Sequence, residues 1–375
     1  MRLQTVFNND LVRPVSTNIL DAVGSTPLVQ LNRYFATSGA TVYAKLEALN
    51  PGGSAKDRPA KRMIEEAICS GQIKHDTTIV ESSSGNMGIG LAQVCRYYGL
   101  KFICVVDPHA QQQNLSIIMA LGGTIEQVTE EVDGSFLAAR WQRVSQIVEQ
   151  VEGAFWPNQY ANKNNPLAHQ SSTIREIDET LGGELDYLFV ATSSTGTASG
   201  CRDYLRSLNR KTKVVAVDAI GSVLFGGVAG ERMIPGLGAG KVPRLARGQT
   251  FDDVVRVSDL DCVIGCRRMA LQEAIMAGGS AGGVLEAVRK YGSRLNGKTC
   301  VAILHDSGTR YLDTVFSDEW VEQKIGVNRS EIDSMLTEEP PVQSLRTSIL
   351  GRDAMRQGTH PLSPESQPCL SEMCQ

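Results

Sequence analysis

The stretch Asn50-Pro51-Gly52-Gly53-Ser54-Ala55-Lys56-Asp57-Arg58-Pro59 sets one lysine between a Gly-Gly turn and the start of a helix. Residues 41–47 before it have strand character. After it, Ala60, Met63, Ile64, Ala67 and Ile68 recur at the spacing of one apolar helical stripe. Pro59 suits the first turn, where a missing N–H costs nothing, and Gly71 suits a left-handed cap at the far end. Lys56 thus stands at the positive end of a helix dipole, which favours its neutral amine. A neutral lysine can condense with an aldehyde and, once released, can act as a base.

Three more stretches carry chemistry of a matching kind. Ser82-Ser83-Ser84-Gly85-Asn86-Met87-Gly88 offers hydroxyls and backbone N–H groups to a carboxylate, and Asn86 a bond to a ligand oxygen. Ser193-Ser194-Thr195-Gly196-Thr197 leads into a helix, an arrangement that receives a phosphate dianion. It lacks the lysine of nucleotide-hydrolase loops. Gly278-Gly279-Ser280-Ala281-Gly282 lets backbone approach a flat ring, with Ser280 as a neutral partner for a ring nitrogen. Singly, each reads as a helix cap or turn. Their joint occurrence in this order is a far more specific signal than any one of them.

The elements that must position these loops alternate. Strands are predicted at 77–81, 101–106, 187–191, 214–218 and 299–304. Helices are predicted at 89–99, 113–121, 135–151, 165–181, 267–277 and 284–291, with a break at 278–283 and a glycine-rich loop at 221–240. Such alternation specifies an α/β fold with mostly parallel sheets covered by helices. The loops after 81, 191 and 304 fall at carboxyl ends of strands, where open α/β sheets bind ligands. Residues 331–375 lose periodicity and read as a mobile tail.

Composition narrows the function classes. The 375 residues suffice for two domains. A net charge of −4 gives no electrostatic case for nucleic acid, and no apolar run has the length of a membrane span. Without a signal-peptide core at the start, a cytoplasmic location is expected. The odd set of nine cysteines, lying mostly in apolar segments, suits reduced thiols, and none has zinc-site spacing.

These motifs resemble the cysteine synthase/cystathionine β-synthase family of pyridoxal 5′-phosphate enzymes, fold type II, over roughly residues 18–325. The resemblance makes Lys56 the cofactor lysine and brings Asn86 to the cofactor's 3′-oxygen. It lays the phosphate loop on Ser193, Ser194, Thr195, Gly196 and Thr197, and puts Ser280 at the ring nitrogen. The substrate loop falls on Ser83, Ser84, Gly85 and Met87, and His305-Asp306-Ser307-Gly308 resembles the family's C-terminal turn. It further implies a large domain of 15–53 plus 162–330, a small mobile domain of 54–161, and a homodimer acting on amino-acid substrates. Two departures count against ordinary cysteine synthesis: Met87 replaces a threonine, and Ser193-Ser194-Thr195 replaces Gly-Thr-Gly. With Asn158-Gln159-Tyr160-Ala161-Asn162, they resemble the branch that supplies 2,3-diaminopropionate for siderophores and peptide antibiotics. There O-phospho-L-serine is the donor and L-glutamate the acceptor, joined by β-replacement through an aminoacrylate. In that likeness Arg140, Tyr160 and Ser193 read the donor phosphate. The alternative is a sulfhydrylase joining sulfide to O-acetylserine or O-phosphoserine. It shares the first half-reaction but needs no basic groups for an acceptor; Arg232, Lys241 and Arg244 are the candidates for that role.

Overall fold

A computed structural model of the chain describes residues 15–337. Strands β1 (Leu28–Gln30) and β2 (Thr41–Leu46) lead to helix α1 (Asp57–Cys69). There follow β3 (Thr78–Ser82), α2 (Asn86–Tyr98), β4 (Lys101–Val106), α3 (Gln112–Ala120), β5 (Thr124–Gln127) and α4 (Phe136–Gln150). The short helices α5 (Asn164–Ala168) and α6 (Ile174–Thr180) precede β6 (Tyr187–Ala191), α7 (Gly196–Ser207), β7 (Lys213–Ala219) and β8 (Asp253–Val257). Then come α8 (Asp259–Glu273), α9 (Gly279–Tyr291), β9 (Thr299–Leu304), α10 (Asp318–Ile325) and α11 (Arg329–Thr337).

The strands form two sheets. The larger has the order β1-β2-β9-β6-β7-β8, parallel except for the β1–β2 pair; the smaller, β3-β4-β5, is parallel throughout. All three strands of the smaller sheet fall within 54–161, and all six of the larger fall outside it. Strands β3, β6 and β9 are almost wholly buried. That explains why they read as continuous apolar runs rather than alternating ones. One apolar cluster packs α8 and α9 on the large sheet, with Phe189, Val215, Cys266 and Val284 at its centre. A second packs α1 and α2 on the small sheet through Met63, Ile64, Leu91 and Phe102. No helix of the described residues is long and apolar enough to cross a membrane.

Four sequence expectations are corrected. The helix predicted at 267–277 begins at Asp259, because Ser258 and Asp261 form a reciprocal capping box, and stops at Glu273, where Ala274 turns left-handed at φ 55°. The predicted break at 278–283 is the first turns of α9. Its glycines serve contact rather than flexibility: a Cβ on Gly282 would collide with the Cys262 carbonyl of α8, and one on Gly265 with Gly282. The helix predicted at 165–181 is split by a π-helical turn at His169–Thr173. The predicted tail begins too early, since α11 occupies Arg329–Thr337 with Ile332 buried against the large core. The rest of that tail lies outside the described residues.

Candidate active site

Parallel strands β2, β9, β6 and β7 put their carboxyl ends on one edge of the large sheet, and the loops leaving them line a cleft of about 600 Å³. Lys56 sits there as the N-cap of α1, its carbonyl accepting the Ala60 N–H at 3.0 Å. The segment after β9 sets its position. The Ala55 N–H donates to the His305 carbonyl at 2.8 Å, and Ser54 bridges Asp306. On its other side the same segment receives the Gly278 N–H on the Asp306 carbonyl at 3.1 Å. One short stretch of chain is thereby stitched both to the Lys56 loop and to the start of α9, where Ser280 is buried on the cleft wall. Burial pulls the Lys56 ammonium below its ordinary range, with Asp306 opposing it.

The cofactor and donor residues that the resemblance implies, Lys56, Ser83, Ser84, Gly85, Asn86, Met87, Arg140, Tyr160, Ser193, Ser194, Thr195, Gly196, Thr197 and Ser280, all line this cleft, whereas Lys241 and Arg244 do not. Several already have protein partners. The Ser83 hydroxyl accepts the Gly88 N–H at 3.1 Å, so it also caps α2. Ser194 Oγ accepts from Asn165 Nδ2 at 3.3 Å, and Thr197 Oγ1 lies 3.2 Å from His169 Nε2. Met87 faces the cleft and packs into the small-sheet core. Arg140 pairs with Asp107 at 3.1 Å. Burial raises the Tyr160 phenol, while Arg140 draws it down more than Arg232 does.

Sequence reasoning missed how much the turn after β9 does. Asp306, fully buried, accepts from Asn86 Nδ2 at 2.8 Å and from the Tyr311 hydroxyl at 2.7 Å. Arg310 donates to Asn86 Oδ1 and to the Gly52 carbonyl. The Asn86 amide is thus oriented by an acid on one side and a guanidinium on the other. A short Asp-Ser-Gly motif at a strand end is the only local signal for this.

The cleft fits the cofactor that the resemblance implies. Thr195 sits left-handed at φ 67°, unfavourable for a β-branched residue by about 1–2 kcal/mol. Its hydroxyl, at the mouth of α7, is buried with no partner among the described residues. An unpaired buried hydroxyl costs free energy until an acceptor arrives, and a phosphate at this helix start supplies one. Asp306 Oδ1 and both His305 ring nitrogens, also on the cleft wall, likewise have no hydrogen-bond partner among the described residues. A Cβ added at Gly85 or Gly236 would meet open space in the cleft rather than protein.

One buried acid fixes the segment that carries Tyr160. Glu81, at the end of β3, accepts from Trp156 Nε1 at 3.0 Å and from the N–H groups of Gln159 (3.1 Å) and Ser82 (2.8 Å). Burial nevertheless pushes its carboxyl from 4.5 up to about 7. An acid raised by folding favours the folded state most below its unfolded value, and that advantage drains away as pH climbs from about 4.5 to about 7. Glu81→Gln should therefore flatten the pH dependence of thermal unfolding across this window. An unchanged slope would show that other acids set it, Asp57 first, which burial also raises to about 7.

A family model described as "Pyridoxal-phosphate dependent enzyme" matches residues 19–306. The chain is 45% identical over 309 residues to the N-(2-amino-2-carboxyethyl)-L-glutamate synthase of Ralstonia nicotianae, covering 82% of this chain and 91% of that one. Its fold is similar to O-ureido-L-serine synthase (TM-score 0.76, 31% identity, 87% of this chain and 100% of that one). It is also similar to the O-acetylserine dependent cystathionine beta-synthase of Helicobacter pylori (TM-score 0.75, 30% identity, 80% and 99%).

Proposed function

The chain belongs to the pyridoxal-phosphate dependent enzymes, and on that premise we propose that it replaces the phosphate of O-phospho-L-serine with the amino group of L-glutamate. The product is N-(2-amino-2-carboxyethyl)-L-glutamate, and the step supplies 2,3-diaminopropionate to siderophore or peptide-antibiotic assembly. The observation that carries the reading is the charge of the cleft. Beside Lys56, which serves the cofactor, the guanidiniums of Arg140, Arg232 and Arg310 line it, and among the described residues the carboxylates on it are Asp107 and Asp306. A dicarboxylate acceptor calls for a cation beyond those that meet the donor; sulfide does not. The similarity to the Ralstonia synthase supports the same choice.

The cofactor, when bound, draws electron density from the donor's α-carbon so that the β-substituent can leave. Thr195, Gly196 and the start of α7 would hold its phosphate, Ser280 would meet its ring nitrogen, and Asn86 its 3′-oxygen. Lys56 Nζ takes the donor's α-proton, a task that its burial-lowered pKa suits. Ser83, Ser84, Gly85 and Met87 receive the donor carboxylate end. Arg140, Tyr160 and Ser193 surround the departing phosphate; Arg140 can exchange its Asp107 partner for that anion. Residues 54–161 close as a unit over the large sheet and exclude water. The enzyme works as a cytoplasmic homodimer.

The test is product analysis by mass spectrometry with phosphoserine plus glutamate, and with phosphoserine or O-acetylserine plus sulfide. Faster formation of the glutamate adduct is expected; a preference for cysteine would overturn the reading.

A further inference from the structure

We infer that Arg232 receives a carboxylate of the acceptor amino acid, which makes it a specificity-determining residue for the second half-reaction. The inference rests on glutamate as the acceptor. The other cleft cations are already engaged. Lys56 serves the cofactor. Arg310 is spent on Asn86 and the Gly52 carbonyl. Arg140 faces Asp107 at 3.1 Å. Arg232 forms no ion pair among the described residues. Within those residues its Nη1 donates to the Leu237 carbonyl at 3.3 Å, and its buried Nε has no partner. A guanidinium has five donors in a fixed fork, and a planar carboxylate is the anion that fork matches.

The chain goes to some length to place this side chain. The glycine-rich loop folds tightly on itself: the Gly230 N–H donates to Gly221 at 3.0 Å, and Ser222 Oγ accepts the N–H groups of Leu224 (3.2 Å) and Ala239 (3.0 Å). A Cβ on Gly227 would collide with the Ser222 carbonyl, and one on Gly238 would come within 2.8 Å of the Ser222 side chain. The Met233 N–H is tied to Asp259 in the first turn of α8 at 3.0 Å. Together these contacts hold Arg232 on the cleft wall. Of the three cations that the sequence offered for the acceptor, only Arg232 lines the cleft. Lys241 lies over the Trp141 ring, 5.5 Å from its centroid, and Arg244 is exposed.

The two half-reactions separate the sources of anion. With the holoenzyme, phosphate release from phosphoserine without acceptor reports the donor step, and the dependence of adduct formation on glutamate reports the acceptor step. Arg232→Ala should leave the first within about threefold and raise the glutamate KM by about 30-fold, the scale of a lost charged hydrogen-bond pair. It should also erase the preference for glutamate over one of its two monoamides, glutamine or isoglutamine, which identifies the carboxylate that is read. Arg232→Lys should restore part of the glutamate affinity, which a purely structural role would not. An equal loss in both half-reactions would overturn the inference in favour of a donor-phosphate role, and an unchanged glutamate KM would overturn it outright. If the wild type forms no glutamate adduct, the proposed function itself falls, an outcome distinct from a normal wild type with a normal variant.

Discussion

Lys56→Ala is expected to lower the β-replacement rate by about 10³-fold or more, because one amine serves as both the cofactor's covalent anchor and the base for the donor's α-proton. The two roles can be read separately. Borohydride reduction followed by mass analysis should find the cofactor fixed to the wild-type chain and absent from the variant. Phosphate release from phosphoserine should stop in the variant even where cofactor is retained at Thr195 and the start of α7. The fold should survive, since Lys56 is the N-cap of α1 through its backbone, with no side-chain cap. Thermal unfolding close to wild type, with the activity gone, is the expected pairing. Turnover within tenfold of wild type would remove Lys56 from the mechanism.

Arg58→Ala, two residues further along, should instead act on stability, by about 3–5 kcal/mol, the usual consequence of leaving a buried charge without its partner. Arg58 donates from Nε to Glu47 at 2.7 Å and from Nη1 to Glu176 at 2.6 Å, while Lys45 reaches Glu176 at 2.6 Å. Glu47 and the Arg58 side chain are almost completely inaccessible, at 0% and 2% exposure. Burial alone would raise the Glu47 carboxyl, but Arg58 first, with the Thr26 hydroxyl and Lys45, together hold it below its ordinary value. A carboxyl lowered by folding contributes stability above its unfolded value and loses it as pH falls through the folded one. The loss in Arg58→Ala should therefore be largest near neutral pH and shrink toward pH 4, as Glu47 becomes able to take a proton. Urea unfolding at the two pH values measures it. Replacing the pair, Arg58→Met with Glu47→Leu, should cost less than Arg58→Ala alone. If the single variant unfolds at the wild-type midpoint, the network is not what anchors the start of α1. The ion pairs join residues far apart in the chain, so this anchoring also bears on where Lys56 is held.

Much of this molecule is local chemistry and was legible as such. The turn and stripe around Lys56, the β-branched runs of β3, β6 and β9, and the hydroxyl-rich turns at strand ends depend on near neighbours in the chain. So does the helical stripe of α1, whose residues Ala60, Met63, Ile64 and Ala67 are indeed buried. The misreadings came where contact overrules local preference. Glycines at 278–283 read as a break because propensity alone disfavours them in a helix; α9 uses them to lie against α8. The motif after β9 read as one more turn, yet it stitches Lys56 to the start of α9.

What the order of residue types determined by itself was the alternation of elements, and hence an α/β fold with its ligand edge, together with the set of side chains able to do the chemistry. What only the tertiary structure decided was which of those side chains are already occupied. Arg140 meets Asp107, Arg310 meets Asn86, Arg58 meets two glutamates, and Arg232 has no carboxylate partner among the described residues. A charge's partner depends on which distant segments the sheets bring together, and no periodicity along the chain encodes that distance.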